Sequence, residues 1–280
     1  MTAKKKILIA LSTVVAIVTI VVTSVLGTVA YLTSSAAVSN VFTIGNVQMT
    51  MYESKVDSNG VIIDSSAPKT ADTNSYHLVC DKEYVKDPTI YITAGSESSY
   101  LFIIARNDIS EIEAVDPLSM KEQLFVNGWM KYGVAATGNI YVYTGIEKTA
   151  GWAAAVAEIC EANNPALKKT HDEKKAVAAQ RAAALEALYT TYVSGGVKAT
   201  GVAADGLATS VDLFHKFTID PHADISTYGA AKVNITAVAI QTSGFGGNGN
   251  EALGTKPALD EAWAAVIATY PYIHTSSPNP

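Results

Sequence analysis

The sequence predicts a mainly β protein, an antiparallel sandwich with peripheral helices and one helical insertion. Three observations point there. Short apolar segments with strand periodicity recur along the chain, Gly, Asn, Asp, Ser and Pro clusters separate them, and strands run on to strands rather than alternating with helices. The chain has 280 residues, enough for a substantial core.

The first 30 residues stand apart from the fold. Lys4, Lys5 and Lys6 precede an uncharged apolar run from Ile7 to Leu26, and Thr28 and Ala30 place small residues three and one before a cut after Ala30. That order of charge, apolar core and small residues predicts a signal peptide over 1–30, with cleavage between Ala30 and Tyr31 by an export signal peptidase. An uncleaved anchor is the competing reading, since the run is about long enough to span a bilayer. Residues 1–30 hold three lysines and no acid, which leaves 17 basic against 26 acidic residues, a balance of −9, in the released chain. Clustered Lys and Arg are needed for phosphate contact, so nucleic acid is excluded as a partner, and an acidic surface is a poor ligand for anionic lipid. No second apolar span follows, so no membrane contact is expected after cleavage, and the expected location is extracellular.

Residues 31–45 read as a separable arm. Tyr31 to Asn40 is small and polar, with too few large apolar residues to make its own core contacts. Phe42 and Ile44 are then apolar at even positions, whereas Val47, Met49 and Met51 are apolar at odd ones. Alternate side chains on a strand face opposite ways, so this change of phase demands a break, and Gly45-Asn46 sits where it must fall. Val47 to Tyr52 predicts the first strand of the body, which runs over 46–280. Further strands are expected at Thr89–Thr93, Ser99–Ala105, Ile140–Tyr143, Val211–Ile219 and Val233–Gln241. The run SYLFIIA at 99–105 is continuously apolar, as expected of a strand covered on both faces.

Helices are expected after Asp116-Pro117, over Trp152–Glu161, over Pro165–Val193 and over Pro257–Tyr270. Pro165–Val193 is rich in Ala, Lys, Glu and Leu and stops at Ser194-Gly195-Gly196. It forms the middle of a helical insertion spanning about 145–210, on the side of the sandwich.

Candidate chemistry is sparse. The histidines are His77, His171, His215, His222 and His274, and no two lie four apart, so the helical zinc-peptidase pattern is missing. His171-Asp172-Glu173 reads as a solvated face. A metal site from His215, His222 and Asp220 is conceivable, but structural roles for these residues are the commoner case, and no metal or other cofactor is expected. Gly244 to Gly249 matches G-x-G-x-x-G by letter, yet no helix opens there, and a loop is expected. Cys80 and Cys160 either pair or remain as thiols. No nucleophile signature stands out and no catalytic residue is assigned.

Two stretches carry a family resemblance. Gly27 to Ser35 (GTVAYLTSS), running into Asn40 to Glu53 (NVFTIGNVQMTMYE), resembles the export signal and first strand of the TasA/camelysin family. Leu32 stands where an aromatic is usual, and Ser34-Ser35 replaces a more typical acidic residue. Residues 82–89, 94–102, 123–129, 214–219, 234–245 and 262–263 resemble later segments of that family in order, whereas about 145–210 look inserted. The resemblance implies a jelly-roll-like sandwich that polymerises by strand donation. The protein is then a filament subunit of a cell surface or biofilm matrix, and its partner is further copies of itself. It implies a polymerisation arm of Tyr31, Leu32, Val38, Val41, Phe42, Ile44 and Gly45. Full burial contributes roughly 1.5–3 kcal/mol per large apolar side chain, and ordering costs roughly 1–2 kcal/mol per residue. These terms nearly cancel, so backbone hydrogen bonds and a ready groove must decide the balance. The alternatives are an arm that folds back as an ordinary first strand, a camelysin-like surface metallopeptidase, and a monomeric adhesin or matrix accessory protein.

Overall fold

The computed structural model describes residues 33–45, 47–148, 150–192, 209–242, 244–245 and 256–271. The proposed signal peptide, Tyr31, Leu32 and His274 lie outside them. The fold is mainly β, built from several antiparallel sheets with helices around them. Among the described residues no helix is long and apolar enough to cross a membrane.

The larger sheet has six strands in the order β3 (Thr73–His77), β1 (Thr33–Ile44), β11 (Val233–Gln241), β6 (Ser99–Asn107), β8 (Gly138–Tyr143) and β7 (Trp129–Ala135). Its centre is the antiparallel ladder of β6 with β11, in register from Ser99–Gln241 to Asn107–Val233. Both strands are buried on both faces, which explains the unbroken apolar run at 99–105. Leu101, Ile103, Ala237 and Ala239 enter the larger core cluster, and Tyr100, Phe102, Ile104, Val238 and Ile240 enter a second one behind the sheet. That second face is closed by α4 (Lys256–Thr269), whose Leu259, Ala262, Trp263 and Val266 recur at helical spacing. The Trp263 ring lies 5.1 Å from that of Phe102.

Across the larger cluster stand a three-stranded sheet, β2 (Met49–Tyr52), β5 (Thr89–Ile92) and β9 (Thr209–Asp212), and a two-stranded one, β4 (Glu83–Val85) with β10 (Lys216–Thr218). Met49, Met51, Ile90, Ile92 and Val211 come from the first, and Tyr84 and Phe217, stacked at 5.0 Å, from the second. The helices α1 (Met120–Val126), α2 (Trp152–Ala162) and α3 (His171–Tyr192) close the same cluster from the side.

Several expectations change. Val211–Ile219 is two strands in different sheets, not one. Leu213 and Phe214 are both buried, which a straight strand with one open face cannot arrange. The α1 side chains of Asn127, at its C-terminal cap, and Gln123 take Leu213 O and Lys216 O at 3.0 and 2.7 Å. Pro165–Val193 is also broken. A short 3-10 turn, Pro165–Leu167, precedes α3, and Thr170 with Glu173 forms a reciprocal cap at its start. The insertion belongs to the core, because Trp152, Val156, Leu185 and Tyr189 join the larger cluster. Among the described strands, antiparallel pairing is broken at one place, where β1 runs parallel to β11.

Candidate functional site

The residues proposed for the arm lie in β1, inside the chain's own sheet. Residues 33–37, read as a polar lead-in, pair antiparallel with β3, and 38–44 pair parallel with β11 after an irregularity between Val38 and Asn40. Val38 stands opposite Ile235, Val41 opposite Ala237, Phe42 opposite Val238 and Ile44 opposite Ile240. This is the ordinary first-strand arrangement weighed above, adopted within a single chain. Without β1, the β11 backbone from Ile235 to Ile240 keeps β6 on one side and loses its strand on the other. Among the described strands β3 pairs with β1 alone, so β1 also carries β3 into the sheet.

The far end of β1 is fastened and then released. The Tyr270 hydroxyl donates to Thr43 O at 3.0 Å, and Ile44 packs half-buried against the second cluster. At Gly45, φ is +88°, a conformation that L side chains resist. A Cβ there would also come within 2.1 Å of Gln241 Oε1. Beyond Gly45 the chain leaves the larger sheet and enters β2 of the smaller one, where the apolar phase changes.

The structure assembles a different histidine cluster from the one considered in sequence. His171, the first residue of α3, meets Asp220 and His222 of the turn after β10, with potential ligand atoms all within 4.8 Å of one another. His171 Nδ1 is 3.5 Å from Asp220 Oδ2, and His222 Nδ1 is 3.4 Å from Asp220 Oδ1. Asp220 is held at the back of the group, its side chain 5% exposed, against 30% for His171 and 68% for His222. Its Oδ1 accepts the His222 amide at 2.8 Å, and its own amide donates to Ile112 O at 2.8 Å. A cavity of about 300 Å³ opens beside the cluster, with Asp81, Asp116, Lys169 and Lys174 on its walls. His215 is not part of it: that residue is exposed, and its amide donates to Gln123 Oε1 near α1. His77 lies in β3 opposite Thr33.

Three groups of buried ionisable side chains missed in the sequence, two of them ion pairs, support this frame. Lys86 and Glu53 pair at 2.9 Å with both side chains fully buried, and Asn74 Nδ2 donates to the other Glu53 oxygen at 2.8 Å. Burial pushes the Glu53 carboxyl up and the Lys86 ammonium down, and their mutual attraction opposes both shifts. Arg181 of α3 reaches Glu122 of α1 through Nε at 2.7 Å and Nη2 at 3.1 Å. Glu113 accepts from the Met120 amide at 2.6 Å and from Asn107 Nδ2 at 3.1 Å, yet burial pushes its carboxyl up to about 8. Cys80 and Cys160 are free, and burial raises the Cys160 thiol. Of the glycine-rich stretch 244–249 only Gly244 and Phe245 are described, and Phe245 packs against the second cluster.

Comparison of the chain with protein-family models, with curated proteins and with solved structures gives no match.

Proposed function

We propose that this protein is exported through its N-terminal signal and serves as a structural subunit of extracellular filaments, a jelly-roll-like body that polymerises by passing β1 to the next subunit. One observation carries the reading. β1 precedes the other described elements, is joined to the body through Gly45, and fills a place between β3 and β11 that another copy's β1 fits equally well. After exchange, the pairings with β3 and β11 are remade between subunits, so their free energy is nearly the same in both states. Contacts between bodies and relief at the hinge then decide whether the chain closes on itself or assembles. A strand passed head to tail generates an open filament unless the rotation closes a ring.

The exchange has a kinetic consequence. Withdrawing β1 undoes six pairings with β11 and five with β3. At roughly 0.5–1.5 kcal/mol net per hydrogen bond, a closed monomer opens slowly. Assembly is therefore fastest as chains emerge from export, before β1 settles in its own sheet.

Negative-stain electron microscopy of the chain from Tyr31 beside one beginning at Ile44 tests the reading. Filaments from the first and none from the second are expected, and excess peptide of sequence 33–44 should halt growth. Because a closed monomer opens slowly, both are refolded from denaturant at high concentration, and single particles from both across pH and salt would then overturn it. Casein cleavage lost on chelation would favour the surface metallopeptidase instead.

A further inference from the structure

We infer that His171, Asp220 and His222 form a binding site for a divalent transition-metal ion of the zinc class, one that fastens the helical insertion to the β body. The donor set is the first ground. Two imidazoles and one carboxylate suit zinc and its neighbours, whereas calcium and magnesium call for an oxygen-rich shell.

Geometry is the second. Bonds of about 2.0–2.1 Å to a tetrahedral ion place neighbouring donor atoms about 3.3–3.4 Å apart. His171 Nδ1 lies 3.5 Å from Asp220 Oδ2 and His222 Nδ1 lies 3.4 Å from Asp220 Oδ1, each close to that edge length though on different oxygens, so the carboxylate would bind through both oxygens or turn to present one. Both separations lie beyond the usual range of a charge-assisted hydrogen bond, about 2.7–2.9 Å. The remaining edge, between the two imidazoles, is within 4.8 Å, and their ring centroids are 5.0 Å apart. His222 is the most exposed of the three, so its ring has room to turn toward His171 when an ion binds.

The third ground is how the ligands are held. Asp220 is nearly buried, yet its carboxylate is aimed between two imidazoles rather than toward solvent. The His222 amide fixes one carboxylate oxygen, as outer hydrogen bonds fix metal ligands elsewhere. His171 is placed by the Thr170–Glu173 cap, which sets where α3 begins. The positive end of the α3 dipole opposes a cation, and Asp172 and Glu173 in its first turn offset it. Around the cavity, Asp81 and Asp116 balance Lys169 and Lys174.

The ion would bridge two parts of the chain that the sheets do not join. His171 belongs to the insertion, and Asp220 and His222 to the turn after β10. Binding therefore stabilises the docked insertion and leaves its fourth position open to water or to a donor from another molecule. The inference stands independently of polymerisation, since none of its ligands lies in β1 or its neighbours in the sheet.

The test uses untagged protein, in the N-terminal form the expressing cell releases, freed of metal by a chelator and titrated with Co²⁺ and then Zn²⁺. One equivalent of Co²⁺ should give the visible absorption of a four-coordinate site, Zn²⁺ should bleach it, and Zn²⁺ should raise the melting temperature. His171→Ala and His222→Ala should each weaken uptake at least ten-fold and abolish the thermal shift, with circular dichroism unchanged. His215→Ala should leave both readouts as in the wild type. Lack of saturable uptake by the wild type, or uptake within two-fold of it in both ligand variants, overturns the inference.

Discussion

Replacing Arg181 with Met tests how firmly the insertion is docked. The guanidinium, on a residue only 3% exposed, donates to both Glu122 oxygens and, through Nη2, to Val115 O at 2.6 Å. Methionine keeps much of the aliphatic volume and removes every one of these bonds. Glu122 is then left buried with the amide and hydroxyl of Ser119, at 2.9 and 2.8 Å. Stranding one partner of a buried pair costs about 3–5 kcal/mol, and the surviving Ser119 bonds place the cost at about 3. With a urea slope of about 3 kcal/mol per molar for a body of this size, the midpoint falls by about 1 M. Glu122→Gln combined with Arg181→Met removes both charges and should recover much of the loss, giving a coupling of about 1–3 kcal/mol. Tryptophan fluorescence and far-ultraviolet circular dichroism should report the same midpoint, because Trp152 packs on Tyr189 at 5.1 Å and both belong to the larger core cluster. A midpoint shift under about 0.3 M would refute the reasoning. So would a fluorescence transition that separates from the sheet signal, because the insertion would then be unfolding by itself.

Two further perturbations follow from local geometry. Burial raises the Glu113 carboxyl from its ordinary 4.5 to about 8, so between those values the folded state keeps a proton the unfolded state has lost. The stability that Glu113 contributes should therefore fall by about 1.4 kcal/mol per unit as pH rises through that window. Glu113→Gln should flatten the dependence in urea titrations at pH 5 and 8.5, and parallel profiles would contradict it. Gly45→Ala forces a side chain into positive φ against Gln241, which costs about 1 kcal/mol and lowers the melting temperature by about 2–4 °C. An unchanged melting temperature would mean that the link between β1 and β2 relaxes freely.

What the sequence reveals follows what burial does to it. β6 and β11 are legible because both faces are covered, so their apolar runs are continuous. α4 is legible because one row of it closes a sheet face. β3 is hidden because its inward Asn74 bonds Glu53 and the Val56 amide instead of filling space. In α3 the inward row is Ala178, Arg181, Leu185 and Tyr189, and the arginine on it disguises the buried face. The break before α3 was readable from Thr170-x-x-Glu173, a capping pattern inside an otherwise helical stretch. The partnership of His171 with Asp220 and His222 had no local signal. It depends on where α3 docks, and docking depends on the buried Arg181–Glu122 pair. The parallel pairing of β1 with β11 is equally non-local, since the phase change at Gly45 marks where β1 ends and not which strand it joins.

The most direct test of strand exchange is a disulfide between β1 and β3. Ser35 and Ser75 stand opposite each other in the antiparallel register, and Ser75 is exposed. Ser35→Cys with Ser75→Cys, in a background carrying Cys80→Ser and Cys160→Ser, adds little bulk and places two thiols across the pair. Assembled protein, oxidised gently and run on a denaturing gel without reductant, should give a ladder of covalent multimers that collapses on reduction. Filaments whose crosslinks all fall within single chains would contradict donation of β1, and would mean that the subunits associate through another surface.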